Sequence, residues 1–184
     1  MKWPFEIETE YKGLAIRAPS NLHQECYKLI DRIGLPQSAK VLDLGSGEGA
    51  FTKRLIDKGF DVRAVEIEAG RFQADALCYH WDLNREFSLL CEEKFDLVLA
   101  IEVIEHLHDP RRFLKGCLSV LKPNGWVIIT SPNVESWVSR IKFLRTGRFL
   151  WFDEVHYETL GHITPIFSWQ LPKSAMSLRP ILSR

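Results

Sequence analysis

Only four cysteines, Cys26, Cys78, Cys91 and Cys117, occur in the 184 residues, and no two form a CxxC pair. Zinc-ribbon spacing is therefore absent, and nothing supports a disulfide framework; small buried hydrophobes are the expected role of these thiols. No excess of either charge exists. The 24 Lys and Arg balance 24 Asp and Glu, so no chain-wide electrostatic footprint favours nucleic acid as a partner, and any basic surface must be local. No uncharged apolar run reaches the ~18 residues that a membrane span needs. The opening MKWPFEIETE lacks the pattern of a signal peptide, and a cytoplasmic protein without a transmembrane segment is expected. Repeats and low-complexity tracts are absent as well.

What is present is ordinary globular composition, 46% hydrophobic and 26% charged, enough to build a core at this length. Residues 1–18 are weakly patterned and read as an arm. Helical spacing begins after Pro19, Ser20 and Asn21, with Leu22, Cys26, Leu29, Ile30 and Ile33 on one face and Gly34 closing it. From Lys40 short apolar runs alternate with helical stretches. Val41–Gly45, Asp61–Glu68, Ala76–Leu83, Phe95–Ile101 and Trp126–Thr130 read as five strands. Helices read between them, one through Phe51, Leu55 and Ile56, another from Pro110 to the turn at Pro123, Asn124 and Gly125. This alternation specifies an α/β fold, a Rossmann-like doubly wound, mainly parallel sheet. Ligands of such sheets sit beyond the carboxyl ends of the strands.

Chemistry concentrates at those ends. The stretch DLGSGEG, Asp43 to Gly49, follows a strand and precedes a helix, where glycines let a ligand approach the backbone and helix amides favour a negative group. Gly45, Gly47 and Ala50 also fit the dinucleotide version of this turn. Glu66 lies 19 residues beyond Gly47, at the end of the second strand. A carboxylate there can accept hydrogen bonds from both hydroxyls of a ribose. Spacing thus implies a ribose-containing cofactor and leaves its identity open.

VLDLGSGEG with Glu66, HWDLN (His80 to Asn84), FDLVLAIEVIEHL (Phe95 to Leu107) and LKPNGWVIITSPN (Leu121 to Asn133) follow in that order. Together, over roughly residues 20–170, they resemble the class I S-adenosylmethionine-dependent methyltransferases, and among these the ubiquinone-biosynthesis O-methyltransferase group. The resemblance implies that Asp43, Gly45, Ser46 and Gly47 cradle the methionine part of S-adenosyl-L-methionine. It further implies that Glu66 holds the ribose, that Asp82 beside Leu83 meets the adenine amino group, and that Ile101 packs on the cofactor. The acceptor implied is a small molecule, methylated at oxygen.

His106 follows the fourth strand and is the candidate base, since imidazole ordinarily titrates near neutrality. Glu102, Glu105 and His106 would share one face if they open a helix. Their spacing resembles the metal motif of the RNA-terminal 2′-O-methyltransferases, which a later histidine, here His156 or His162, would complete. Residues 134–146 read as a helix with Val134, Trp137, Val138, Ile141 and Leu144 inward and Arg140, Lys142 and Arg145 outward. The aromatic stretch Phe149–Leu171 reads as a loop lining an apolar acceptor pocket.

The chain divides by these signals into an arm and helix (1–39), a cofactor-binding core (40–131) and a substrate-side helix, aromatic loop and tail (132–184), all within one domain. Only 53 residues follow Ser131, and LPKSAMSLRPILSR has no strand-like alternation. The C-terminal β-hairpin that ends the class I fold is therefore expected to be missing, leaving an open sheet edge through which a homodimer would form. Two further readings remain at this stage. One is a nicotinamide-dependent oxidoreductase using the same turn and Glu66, in which Asp82 and EVIEHL have no role. The other is a non-catalytic cofactor-binding module or truncated isoform.

Overall fold

A computed structural model describes residues 8–90, 92–171 and 176–177. Two short strands, β1 (Glu10–Tyr11) and β2 (Leu14–Ala15), pair antiparallel within the stretch expected to be an irregular arm. Their turn is anchored on the body of the protein, where Tyr11 Oη donates to Asp57 and Ala15 N–H donates to Glu48 Oε2 at 2.9 Å. Helix α1 (Leu22–Ile33) follows, closed by Gly34. Then come β3 (Lys40–Leu44), α2 (Ala50–Asp57), β4 (Asp61–Glu66), β5 (Leu77–His80) and β6 (Phe95–Ala100). A 3₁₀ turn, Ile104–His106, leads to α3 (Pro110–Ser119), β7 (Leu121–Ile129), α4 (Trp137–Thr146), α5 (Glu154–Leu160) and a two-residue strand, β8 (Met176–Ser177).

The sheet order is β5-β4-β3-β6-β7-β8, every neighbouring pair parallel. Side chains alternate across it, which explains the apolar runs of the central strands. Val41, Leu97, Leu99 and Ile128 face α1 and α2 and pack with Cys26, Ile30, Phe51 and Leu55. Leu42, Leu44, Val98 and Ile129 face the other way, onto Phe87, Phe113 and Cys117. Successive connections leave β3 and β6 in opposite directions. That divergence opens a crevice at their carboxyl ends.

Four expectations need correction. Residues 121–125 belong to β7 rather than to a turn before it. The ladder steps from Phe95↔Leu121 to Leu97↔Trp126, so the Pro-Asn-Gly segment is accommodated as a bulge with Asn124 left-handed. Helix α4 begins at Trp137, and Trp137, Ile141 and Leu144 point outward; Leu144 is 84% exposed. The only buried residue of this helix is Ser139, whose hydroxyl accepts from Leu150 N–H, so the polar face, not the apolar one, meets the body. The aromatic stretch contains a helix, α5, which Asp153 caps by accepting from His156 N–H and Gly161 ends.

The expected open edge of the fifth major strand is, finally, partly occupied. β8 pairs parallel with it, Ile128 against Met176 and Ile129 against Ser177. Among the described residues no antiparallel hairpin follows; 172–175 and 178–184 lie outside them. No described helix is long and apolar enough to cross a membrane.

Candidate functional site

The turn after β3 is held by two amides of its own, Gly45 and Ser46 N–H donating to Val65 C=O at 2.8 and 3.1 Å. Gly45 has φ +73°, and a Cβ there would stand 2.5 Å from Val103 Cγ2. A side chain is excluded on both grounds. The turn is latched to the next strand by Glu66, whose Oε2 accepts from Gly47 N–H at 2.7 Å and whose Oε1 accepts from Glu68 N–H. Glu66 is buried, with Arg71 at 3.8 Å. The acid predicted from spacing is therefore already in contact with the glycine predicted beside it.

Asp43 lies beneath the turn and accepts from Thr52 Oγ1 at 2.6 Å. Burial pushes its carboxyl up to about 6, against the Thr52 hydrogen bond, with the nearby Glu66 charge adding to the rise. Asp82 follows β5 in an Asx turn, its Oδ1 accepting from Asn84 N–H at 2.8 Å. Leu83 is buried beside it, and Ile101 ends β6 half-buried.

A cleft of about 870 Å³ joins these residues, Asp43, Gly45, Ser46, Gly47, Glu66, Asp82, Leu83 and Ile101, and extends to His106. Its size suits a nucleoside-bearing ligand with room for a second molecule. The wall opposite the glycine turn is made by Leu150, Trp151, Leu160 and His162. Among the lining residues that spacing arguments missed are His23, Arg71, Trp81 and Trp151. Trp81 Nε1 is buried without a partner among the described residues. No periodicity singles these residues out; the nearest signal was HWDLN, which includes Trp81.

Glu102, Glu105 and His106 do not share a helical face, because Glu102 is left-handed (φ +54°) and the segment closes as a 3₁₀ turn. Glu105 is 0% exposed. Neither of its oxygens has a well-formed hydrogen bond among the described residues, nor does the Ser131 hydroxyl beside it. Burial, with Glu102 nearby, raises its carboxyl well above the usual range, and burial takes Glu102 up to about 7. Glu105 C=O receives the amides of Ile163 and Thr164, both at 3.0 Å, which docks the segment after α5 onto this turn.

That docking brings His162 to His106, ring centroids 5.0 Å apart. His106 Nδ1 lies 3.1 Å from Gly161 C=O and His162 Nδ1 lies 2.9 Å from Trp151 C=O. A carbonyl can only accept, so both rings carry their proton on Nδ1 and keep a lone pair on Nε2. Burial, reinforced by His106 and His156, draws His162 below the ordinary imidazole range. One ligand atom each from Glu105, His106 and His162 lies within 4.8 Å of the others. Glu102 and His156 are not part of that set; His156 is turned to Asp153.

Residues 19–171 match the family model described as a methyltransferase domain. The ubiquinone biosynthesis O-methyltransferase of Bradyrhizobium diazoefficiens is 37% identical over 109 residues, covering 54% of this chain and 42% of that protein. Its counterpart in Bradyrhizobium sp. is 33% identical over 135 residues, 68% of this chain and 53% of the other. The chain thus spans about half the length of these curated relatives. In three dimensions it is similar to a SAM-dependent methyltransferase from Archaeoglobus fulgidus, TM-score 0.61 at 22% identity, over 80% of this chain and 62% of that one. At that identity the likeness speaks for the fold.

Proposed function

The chain belongs to the methyltransferase domain family, and from that premise we propose that it uses S-adenosylmethionine to methylate a small molecule at oxygen. The observation that carries this reading is Glu66, buried at the cleft mouth and bonded to Gly47 N–H at 2.7 Å. A ribose there exchanges one backbone partner for two hydroxyls without moving the acid. The cleft fits the cofactor on its own features, since open space lies where a Gly47 Cβ would stand and Trp81 Nε1 has no partner among the described residues.

When bound, the sulfonium supplies an electrophilic methyl group and leaves as a neutral thioether. The protein then has to orient the acceptor and take its proton. His106 lines the cleft with Nε2 carrying the lone pair, so it takes the hydroxyl proton as the oxygen attacks. Leu150, Trp151 and Leu160 supply an apolar wall, and the relatives named above point to an aromatic hydroxyl as the acceptor class. Transfer of labelled methyl from S-adenosylmethionine across a panel of phenols and catechols tests the activity. His106→Ala should lower kcat about 10²–10⁴-fold with little change in cofactor affinity. Activity that survives this substitution removes His106 from the base role.

One observation favours a second reading of the same corner. Glu105, His106 and His162 form a cluster in which a fully buried carboxylate has no well-formed hydrogen bond among the described residues and both imidazoles present Nε2. Backbone carbonyls orient histidine ligands in this way at metal centres. A divalent cation held there would polarise the acceptor hydroxyl. Dialysis against a chelator followed by metal analysis and thermal denaturation separates the two readings. Bound metal lost together with Tm, and neither seen in Glu105→Ala, supports the cation; full activity and unchanged Tm in chelator leave His106 as a base.

A further inference from the structure

The chain that leaves β4 turns back onto the acid that ends the strand. Arg71 N–H donates to Glu68 C=O at 3.3 Å. This closes a four-residue turn in which Gly70 is left-handed (φ +80°), a conformation glycine adopts without strain. Arg71 is thereby carried to the strand end, its Nη1 3.8 Å from Glu66 Oε1 and 3.3 Å from Glu68 Oε2. Beyond the turn the chain is strapped to the glycine turn. Gln73 N–H donates to Glu48 C=O at 3.0 Å. A Cβ on Gly49 would stand 2.6 Å from Ala74 Cβ and 2.8 Å from Phe72 Cε2. Gly49 therefore makes room for this strap, residues 70–74, whereas Gly47 faces open space.

Glu66 needs what the strap supplies. It is buried, and a carboxylate withdrawn from water requires partners in place of its lost solvation. Its acidic neighbours repel it, since its charge is felt by the buried Asp43 and Glu68 stands two residues on. Among the described residues, Arg71 is the one cation within 4 Å of it. Its hydrogen-bond donors divide in two. Gly47 N–H is the donor that a ribose replaces on the reading above. Glu68 N–H, at 3.1 Å, and Arg71 remain, and both belong to the turn that opens the strap. Arg71 lines the cleft but is mostly covered, with its Nε buried and without a partner among the described residues. Its Nη1 is the atom turned to the two acids.

We propose that Arg71 is a positioning residue for Glu66, balancing its buried charge and, with Glu68 N–H, fixing the carboxylate while a ribose takes the place of Gly47 N–H. Arg71 acts through Glu66 and makes no contact of its own with the ligand. Glu68, on the outer side of the guanidinium, draws it along the turn and keeps Nη1 between the two acids. Without Arg71 a buried carboxylate is left uncompensated. Glu66 then relieves its charge by turning out of the cleft, and the two-oxygen grip on the ribose is lost.

The inference rests on the cofactor reading, and a double-mutant cycle keeps the two apart. Calorimetric titration of the intact chain with S-adenosylhomocysteine should show Arg71→Met binding about fivefold or more weaker than wild type. Arg71→Lys should recover most of that loss, because the contact is a single-nitrogen charge and not a bidentate fork. Glu66→Gln removes the charge but keeps one acceptor oxygen, so binding stays measurable. In that background Arg71→Met should change affinity by no more than about twofold, since a residue that acts through Glu66 has nothing left to position. Arg71→Gln reads the same coupling should the methionine variant not fold. Equal losses in the two backgrounds would show that Arg71 touches the ligand or merely supports the fold, and would overturn the assignment. Wild-type affinity in Arg71→Met would do the same. Failure of the wild-type chain to bind S-adenosylhomocysteine would instead overturn the cofactor reading and, with it, this role.

Discussion

Asp43 is buried and Glu102 half-buried, and the poorer solvation of both carboxylates carries a consequence for stability. Asp43 titrates near 3.8 when unfolded and about 6 when folded. Below pH 4 it is neutral in both states and costs nothing. Between pH 4 and 6 the unfolded chain ionises first, so stability falls, by about 3 kcal/mol for this group once pH exceeds 6. Glu102, raised to about 7, continues the decline toward neutrality. Thermal denaturation should therefore give a lower Tm at pH 8 than at pH 5. Asp43→Asn, whose amide oxygen can still accept from Thr52, should flatten part of that slope and melt several degrees above wild type at pH 8. A Tm that rises from pH 5 to pH 8 and is unaffected by the substitution would show that these groups are not buried as described. The residues with a fixed spacing, Gly47 and Glu66 above all, were legible because strand and turn lengths place them. His23, Arg71 and Trp151 were not, since their roles depend on which elements meet across the cleft.

At the scale of elements, two glycines separate the needs of the site from those of the core. Gly45→Ala places a methyl group against Val103 in a left-handed residue. It should cost about 1–3 kcal/mol and reduce cofactor affinity. Gly116→Ala in α3 places a methyl 2.7 Å from Phe87 Cε1. It should lower Tm comparably while folded protein binds S-adenosylhomocysteine as wild type does. Calorimetry and thermal denaturation on the two variants check both, and a Gly116→Ala loss of affinity would show that α3 couples to the cleft. Strands β3 to β7 and helices α1 to α3 were readable because apolar period and flanking glycines agree, whereas the two-residue strands β1, β2 and β8 are too short to show a period. Helix α4 was readable as a helix and misread in orientation. Its apolar residues outnumber its one buried contact, Ser139, and periodicity reports a face without saying what covers it. Helix α5 was hidden in an aromatic-rich stretch, although Asp153 and Gly161 bracket it with a usable cap signal.

For the molecule as a whole, the sheet order and its crevice follow from the alternation of strands and helices. The cleft wall that carries His162 is docked by the contact of Glu105 C=O with Ile163 and Thr164, which no local pattern announces. The outward-facing Trp137, 67% exposed, and Leu144 leave apolar surface on α4, where sequence reasoning expected association at the edge of β7. A ligand that binds only the folded chain stabilises it by about 2.7 kcal/mol at a hundredfold excess over Kd. S-adenosylhomocysteine should thus raise Tm and NAD should not. The most direct measurement is calorimetric titration of wild type and Glu66→Ala with S-adenosylhomocysteine and with NAD. Saturable binding of S-adenosylhomocysteine alone, weakened at least tenfold in Glu66→Ala, is the expected result. Binding of NAD in its place, or equal S-adenosylhomocysteine affinity in the two proteins, would contradict the assignment of this cleft.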